Sequence, residues 1–471
     1  MVFSSLVFLC VFLPVVLILH TAIKNRKVQN GLLLAASLLF YAFGEPVYIL
    51  LMLASALYNY IFARLLGKRR SKALLALAVI VNIGMLCLFK YTDFLLTNVN
   101  AAFALSIRLP GIVLPIGISF FTFQALSYVI DVYRGQVEVQ KNYAKLLLYI
   151  SFFPQLIAGP IVRYQDIRQQ IDGRTVDLRQ TAFGLRRFIV GLGKKALIAN
   201  AMAVAADYVF GRGAADINII AAWTGAVAYL MQIYFDFSGY SDMAIGLGKM
   251  FGFRFKENFD HPYVSSTIQE FWRRWHISLS SWFRDYVYIP LGGNRKGKAR
   301  TVLNRIIVFF LTGLWHGANW TFIVWGLFHG FFLLLEEAVP KIKKLPKVLL
   351  RIYTLLAVTV GFVIFRADSL PEAFTFIGKM FSGFDFSPSA MSFALQALTP
   401  YFIVMLIAAV VCCGPLSGLT ERVKALESST VLTKGLRMAQ TATFAVAWVL
   451  LAWCIVRVAG GSYNPFIYFR F

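Results

Sequence analysis

Long apolar runs separated by short basic segments dominate this sequence, from about residue 3 to about residue 458. An α-helix needs about 20 apolar residues to cross the hydrocarbon core of a bilayer, and several of the runs are shorter. Short or interrupted segments must be buried in protein or line a cavity, because lipid offers no hydrogen-bond partners. The pattern therefore predicts an all-α, polytopic transmembrane helical bundle of about 11–13 helices, some short or re-entrant.

The runs also indicate where the chain turns. The first covers residues 3–23, and the second, 32–66, is interrupted at Gly44-Glu45-Pro46, which is typical of a turn between two helices. The others lie near residues 73–89, 112–132, 143–158, 188–210, 219–234, 302–315, 321–335, 348–365, 399–411 and 441–458. We predict one membrane-embedded domain over residues 1–471, with a retained first span and no internal repeat.

Charge supports this topology. Hydrophobic residues make up 59% of the chain, and the formal net charge is +24. The basic residues lie in short loops, such as Lys24 to Lys27 and Lys68 to Lys72, as the positive-inside rule predicts for cytoplasmic loops. We therefore expect a multi-pass protein of the inner (cytoplasmic) cell membrane with Met1 outside, and no nucleic-acid partner.

The sequence lacks the motifs of several kinds of site. The five cysteines, in or beside apolar runs, have no metal-ligand spacing, so we expect buried small hydrophobes and no metal site. No Walker loop is present, which disfavours an ATP-driven pump, and there is no Gly-x-Ser-x-Gly elbow. We expect no tightly bound cofactor.

The stretch 236–330 is less hydrophobic and holds four of the five histidines. His316 joins two apolar runs, where an ionisable side chain is a functional candidate. Neutral imidazole is a suitable general base, and Gly313 and Gly317 would let a substrate approach the backbone. A histidine hydrogen-bonded between helices is the other reading.

The remaining histidines are weaker candidates. His276 comes from a different segment and could orient the base, or both could bind metal, which the scarcity of carboxylates disfavours. His329 would point away from His316 on one straight helix, so we expect a structural role unless the helix breaks near Gly317. We interpret His20 as interfacial and His261 as a loop residue.

Basic residues surround His276. Cytoplasmic-loop charge explains most of them, but such a cluster would also attract a phosphorylated donor. The cluster consists of Arg273, Arg274, Arg284, Arg295, Lys296 and Lys298.

Seven motifs in order carry a resemblance over nearly the whole chain. The chain resembles the membrane-bound O-acyltransferase family, in the bacterial branch of alginate O-acetyltransferase membrane subunits. The motifs are LPIGISFFTFQ (114–124), FPQLIAGP (153–160), DFSGYSD (236–242), FWRRWHIS (271–278), YVYIPLGGN (286–294), LWHGANW (314–320) and NPFIYFRF (464–471).

This resemblance implies a bundle around a central tunnel, with a catalytic core at about residues 114–335. The family's hallmark histidine falls on His316, as general base. Its second hallmark position, Asn in many eukaryotic members and His in this branch, falls on His276, which would position or polarise the reacting groups. Acetyl-CoA would enter from the cytoplasm past the basic cluster. The acetyl group would pass to an extracytoplasmic transferase partner that modifies a cell-surface polysaccharide such as alginate. The expected substrate-binding residues are Asp236, Ser238, Tyr240, Ser241, Trp272, Arg273, Arg274 and Asn319.

Other functions remain open at this point. Related branches transfer D-alanine from a carrier protein to teichoic acid or acetylate peptidoglycan, and a basic entrance would suit an acidic carrier protein. A polysaccharide or lipid transporter or flippase would also have many spans with central polar residues, but it predicts inverted repeats. A purely structural subunit of an export complex is disfavoured by the intact His276 and His316.

Overall fold

A computed structural model describes residues 1–157, 159–414, 434–461 and 465–467. All regular elements in these ranges are helices, and seven are long and apolar enough to cross a membrane, or eight if one bent pair counts as a span. The all-α, polytopic class is therefore confirmed. Ala158, Asn464 and residues 468–471, which belong to two of the motifs, lie outside the described residues.

Most helices coincide with the apolar runs. They are α1 (Leu13–Ala22), α2 (Arg26–Gly44), α3 (Ile49–Lys68), α4 (Lys72–Lys90), α5 (Thr92–Phe103), α6 (Ile118–Arg134), α7 (Tyr143–Ser151), α8 (Phe153–Leu156), α9 (Tyr164–Gly173), α10 (Leu178–Gly193), α11 (Asn200–Phe210), α12 (Ile219–Met250), α13 (Ile268–Arg274), α14 (Ile277–Phe283), α15 (Lys298–His316), α16 (Trp320–Ala338), α17 (Lys347–Arg366), α18 (Leu370–Ser382), α19 (Pro388–Ala397), α20 (Pro400–Cys413) and α21 (Lys434–Ala459).

Within the described ranges, three π-helical segments and three 3-10 turns complete the helical structure. The π-helical segment Lys194–Ala199 joins α10 and α11 into one helix of 33 residues. The others are Phe8–Phe12 and Arg284–Tyr288 (π), and Ala214–Asp216, Pro262–Val264 and Pro340–Lys344 (3-10).

The helix boundaries agree with the sequence where turn chemistry is strong. The helix α2 ends at Gly44 and α3 begins at Ile49, as the Gly-Glu-Pro turn predicts. The run 143–158 instead divides at Phe152, whose ψ of 111° is not helical, two residues before Pro154. The run 219–234 continues as α12 to Met250, because the polar residues that follow are buried against protein and do not end the helix.

The first of two compact units contains Met1–Phe188 and Ser241–Lys256. Reciprocal amide hydrogen bonds of 3.0 and 2.9 Å join Asn59 on α3 to Asn82 on α4, both fully buried. The positive φ of 78° at Gly117 starts α6 so close to Leu156 that a Cβ would lie 2.8 Å from its carbonyl oxygen. The first two motifs of the sequence therefore pack against each other.

The second unit contains Ile189–Tyr240 and Glu257–Phe471, and it holds both leading histidine candidates. In it, α15 and α16 form a close pair at two glycines. A Cβ on Gly313 would lie 2.4 Å from the carbonyl oxygen of Phe322, and one on Gly326 would lie 2.3 Å from that of Phe309. Such small residues let the backbones of membrane helices approach closely. This pair positions the end of α15, where His316 lies.

Candidate active site

His316 is the last residue of α15. The helix ends there because Gly317 is extended (φ −168°), and α16 starts after Asn319, whose side chain accepts a hydrogen bond from the Thr321 amide at 3.2 Å. The chain thus breaks between two helices where the sequence allowed a break, near Gly317. The His316 side chain is 4% exposed, with the rings of Trp325 and Phe365 centred 4.9 and 5.3 Å away.

His276 lies at the sharp turn between α13 and α14 and is fully buried. Its φ of 45° is left-handed, which is uncommon for a residue other than glycine. Such backbone strain persists only where the surroundings enforce it, and it is concentrated at functional sites. Ile277 helps to enforce it, because its amide donates to the carbonyl of Asn258 at 2.9 Å.

Asn258 also decides which nitrogen of His276 carries a proton. Its Oδ1 accepts hydrogen bonds from the backbone amide of Ser278 at 3.1 Å and from the Ser278 hydroxyl at 2.8 Å. An amide N–H can only donate, so the carboxamide oxygen faces this side. His276 Nδ1 lies 3.3 Å from the same oxygen and 3.5 Å from the Ser278 hydroxyl, and since that hydroxyl donates to Asn258 we assign the ring proton to Nδ1. The neutral ring then has an unprotonated Nε2.

The His276 Nε2 is buried and has no hydrogen-bond partner among the described residues. Burial lowers the pKa of His276 well below its ordinary value, so the ring stays neutral near pH 7. A neutral ring whose bare Nε2 lies in a desolvated site can accept a hydrogen bond but cannot donate one there.

The rings of His276 and His316 come together in the second unit, with centroids 6.5 Å apart. They belong to different elements, as expected for a base and an orienter that meet across a bundle. Trp315 lies beside both, with its ring centred 5.7 Å from His276 and 4.9 Å from His316. The arrangement is two buried imidazoles in an aromatic enclosure, suited to moving a proton away from bulk water.

His329 lies in a separate group of rings. It is fully buried on α16, and neither ring nitrogen has a hydrogen-bond partner in the described part of the chain. Its neighbours are Phe271, which is parallel at 6.1 Å, and Trp272 and Trp325, which are edge-on at 5.2 and 5.3 Å. Trp325 therefore lies between His329 and His316.

Among the candidate binding residues of DFSGYSD, Asp236 has the most defined surroundings. Its Oδ1 lies 2.9 Å from Lys195 Nζ, and its Oδ2 accepts from the Ile467 amide at 2.9 Å. Ser238 is buried, and Tyr240 packs its ring 4.6 Å from that of Phe466. Ser241 is buried on α12 but belongs to the first unit.

The other candidate binding residues have different surroundings. Trp272 is buried against the His329 ring, whereas Arg273 is exposed. Arg274 forms ion pairs with Asp260 at 3.2 Å and Glu270 at 3.1 Å, so carboxylates already balance its charge. Asn319 donates to the Asp368 carbonyl at 3.0 Å.

A cavity of about 210 Å³ opens beside the end of α15. Asn319, Phe322, Phe365, Arg366, Asp368 and Ile467 are among the residues that line it. Phe365 also contacts the His316 ring, so one aromatic side chain separates the cavity from this histidine. Arg366 is paired with Asp207 at 2.9 Å. The cavity is large enough to hold a small polar group on the far side of Phe365 from His316.

The described residues contain no group of three or more His, Cys, Asp or Glu side chains that could hold a metal ion. Sequence reasoning did not identify Asn258, Lys195 or Trp325 as residues of this region. Lys195 had a usable signal, because a charge inside the apolar run 188–210 is a functional candidate by default. Asn258 had none, since its role depends on a turn 18 residues away.

The fold is that of a polytopic membrane protein, and its second unit brings two buried imidazoles together. A family model described as the membrane-bound O-acyltransferase family matches residues 136–370. The chain is 41% identical, over its full length and theirs, to proteins of Azotobacter vinelandii and Pseudomonas putida, each named a probable alginate O-acetylase. The chain belongs to the membrane-bound O-acyltransferase family and is an O-acyltransferase.

A further relative carries a different name. The peptidoglycan O-acetyltransferase of Helicobacter pylori is 38% identical, across 79% of this chain and 78% of its own. Relatives named for two different polymers thus both align with most of this chain.

Proposed function

We propose that this protein transfers an acetyl group from cytoplasmic acetyl-CoA across the inner membrane, for O-acetylation of a cell-surface polysaccharide such as alginate. The observation that carries the proposal is the pair of buried imidazoles, His276 and His316, with ring centroids 6.5 Å apart beside a cavity-lining phenylalanine. Matches over the full length to relatives named alginate O-acetylases support the choice of acyl group and polymer.

In this reaction His316 is the general base. Its imidazole removes the proton from an acceptor hydroxyl, and the oxygen attacks the thioester carbonyl of the donor. The tetrahedral intermediate then collapses, the carbon–sulfur bond breaks, and the CoA thiolate leaves and takes the proton back from the imidazolium. Positioned proton transfer of this kind contributes roughly 10²–10⁴-fold to a rate.

His276 orients the reacting group. With Nδ1 donating to Asn258, its bare Nε2 accepts a hydrogen bond from an N–H or O–H of the bound substrates other than the reacting hydroxyl, whose one proton goes to His316. It cannot polarise the thioester carbonyl, because that would require a donor. The alternative of His276 as an electrophile is therefore disfavoured.

The acceptor would be a hydroxyl of an extracytoplasmic transferase partner, and the donor's phosphates would meet the basic residues around α13 and 295–298. Arg273, Arg295 and Lys296 are exposed, which suits an anionic donor better than the paired Arg274. An acidic carrier protein bearing D-alanine would use the same charges. A peptidoglycan acceptor is the other alternative, and a transporter or flippase would need no acyl chemistry.

The test is acyl transfer from radiolabelled acetyl-CoA by the purified protein in nanodiscs, with its surface partner or a hydroxylated acceptor. Wild type is compared with His316→Ala and with the control His261→Ala, whose ring lies near Asp260 in a loop of the same unit. We expect His316→Ala to lose roughly 10²-fold or more of the rate and the control to keep it.

Each other result has a meaning. Equal transfer by wild type and His316→Ala would overturn the role of His316. No transfer by any folded preparation would overturn the acetyl-CoA donor. Recovery of an acidic carrier protein in a pull-down would then favour D-alanyl transfer, whereas polymer movement independent of His316 would favour transport.

A further inference from the structure

A buried ion pair in the second unit holds a distant segment of the chain. Lys195 Nζ lies 2.9 Å from Asp236 Oδ1, and the two side chains are 5% and 1% exposed. Lys195 also donates to the carbonyl of Pro465 at 3.2 Å, while Asp236 Oδ2 accepts from the amide of Ile467 at 2.9 Å. The two charges thus bind both ends of the segment Pro465–Ile467.

Two local features of the helices bring Lys195 and Asp236 together. Lys195 lies in the π-helical segment Lys194–Ala199, a type of distortion that is frequent at functional sites. On α12, Gly239 permits close packing, since a Cβ there would lie 2.8 Å from the carbonyl oxygen of Gly191. Because ionisable groups inside spanning helices are costly, their presence there marks a functional candidate.

The energetics indicate positioning rather than stability as the role of the pair. Desolvation of two buried charges offsets most of their attraction, and well-packed hydrophobic replacements are often as stable. The segment Pro465–Ile467 is irregular, however, and its buried backbone groups need partners. Lys195 and Asp236 supply these partners and so fix one position of the segment.

That position adjoins both candidate catalytic histidines. The Phe466 ring is centred 6.0 Å from Phe237, and Phe237 is centred 4.7 Å from His276. Ile467 lines the cavity together with Phe365, whose ring is 5.3 Å from that of His316. The Phe237 ring therefore lies between the segment and His276, and the cavity with Phe365 lies between the segment and His316.

We propose that Lys195 and Asp236 are positioning residues that hold the segment Pro465–Ile467 as a wall of the active site. Asp236 then acts through the segment instead of contacting substrate, unlike the substrate-binding role that the resemblance implied. This inference rests on the proposed acyl transfer. Its consequence is that releasing the segment lowers the rate of transfer without weakening donor binding.

The test variant is Lys195→Met/Asp236→Leu, which removes both charges and leaves neither buried alone. The matched control is Arg187→Met/Asp242→Leu, because Arg187 and Asp242 form a 2.8 Å ion pair between the helices α10 and α12 in the first unit. The full chain in nanodiscs is measured for thermal unfolding, for amide hydrogen exchange at Ile467, and for kcat and donor KM in acyl transfer.

For the test variant we expect thermal stability close to wild type, roughly tenfold or faster exchange at Ile467, and a kcat lowered roughly tenfold or more at similar donor KM. In the control, the exchange rate at Ile467 and kcat should both equal those of the wild type. Unchanged exchange in the test variant would overturn the holding role, and faster exchange with unchanged kcat would overturn the role in the active site.

A conservative pair of variants keeps the conclusion testable if the double variant does not fold. Asp236→Asn retains an acceptor for the Ile467 amide, and Asp236→Ala does not, so the latter should show the larger loss of kcat. The reverse order would overturn the proposal. The wild type could also show no acyl transfer while Ile467 exchanges faster in the double variant. That result would overturn the proposed function. The holding role of Lys195 and Asp236 would stand, and only the catalytic part of this inference would fall.

Discussion

The carboxylate of Glu336 accepts a hydrogen bond from the backbone amide of Ile268 at 2.6 Å. Glu336 is buried on α16, and Ile268 is the first residue of α13. A second bond, from the Gln269 amide, is 3.3 Å long. A negative charge at a helix N-terminus binds otherwise unsatisfied amides and favours the helix dipole. Glu336 therefore fixes the helix that leads into the His276 turn.

Glu336→Gln should destabilise the protein by about 1–2 kcal/mol, because the cap loses its charge and one of its acceptors. The turn at His276 should loosen, and the rate of acyl transfer should fall. The control is Glu337→Gln, since Glu337 is exposed and pairs with Arg305 at the surface. Thermal unfolding in detergent measures the stability of the two variants. Equal melting temperatures for the two variants would contradict a capping role.

His276→Asn should keep the fold and lower activity. Asparagine tolerates the left-handed backbone that His276 adopts at φ 45°, but its shorter side chain does not place an acceptor where the imidazole Nε2 lies. His276→Val should lower activity and also lose about 1–2 kcal/mol of stability, because a β-branched residue is strained in that backbone conformation. Thermal unfolding and acyl transfer, measured on both variants, separate the two effects. Full activity of His276→Asn would mean that the site requires only the backbone turn.

Asn258→Asp should make acyl transfer sensitive to acid. In the wild type, burial lowers the pKa of His276, so the ring is neutral over the assay range. A buried carboxylate next to Nδ1 favours the charged ring and raises this pKa. Below the raised pKa, Nε2 carries a proton and cannot accept a hydrogen bond from the bound substrates. The acid limb of the kcat profile should therefore move to higher pH, and an unmoved limb would argue against Nε2 as acceptor.

Gly326→Ala should destabilise the α15–α16 pair by about 1–3 kcal/mol, because the new methyl group would collide with backbone. The nearest atom, the carbonyl oxygen of Phe309, would lie 2.3 Å from it. Gly378→Ala is the control, on α18, where a Cβ meets nothing within 4 Å. The control should be neutral or gain about 0.5–1 kcal/mol from reduced chain entropy. Comparable melting temperatures would show that the helices can separate at little cost.

The sequence by itself determined the helical, membrane-spanning class. The length of an apolar run is a local property, and the thickness of the bilayer sets the length that a spanning helix needs. The turn after Gly44 and the break after His316 are equally local, since they depend on glycine, proline and helix-capping side chains. Both histidines could be selected for the same reason, because a polar residue between apolar runs needs an explanation.

Only the tertiary structure decided how the candidate residues work. The partner of His276 is Asn258, Glu336 binds the first amide of α13 from 68 residues away, and Asp236 holds Ile467 across 231 residues. Periodicity carries no information about such pairs, because they form only when separate helices pack. The strain at His276 and the proton on its Nδ1 follow from those contacts. The apolar pattern therefore specifies the spans, whereas packing between them specifies the chemistry.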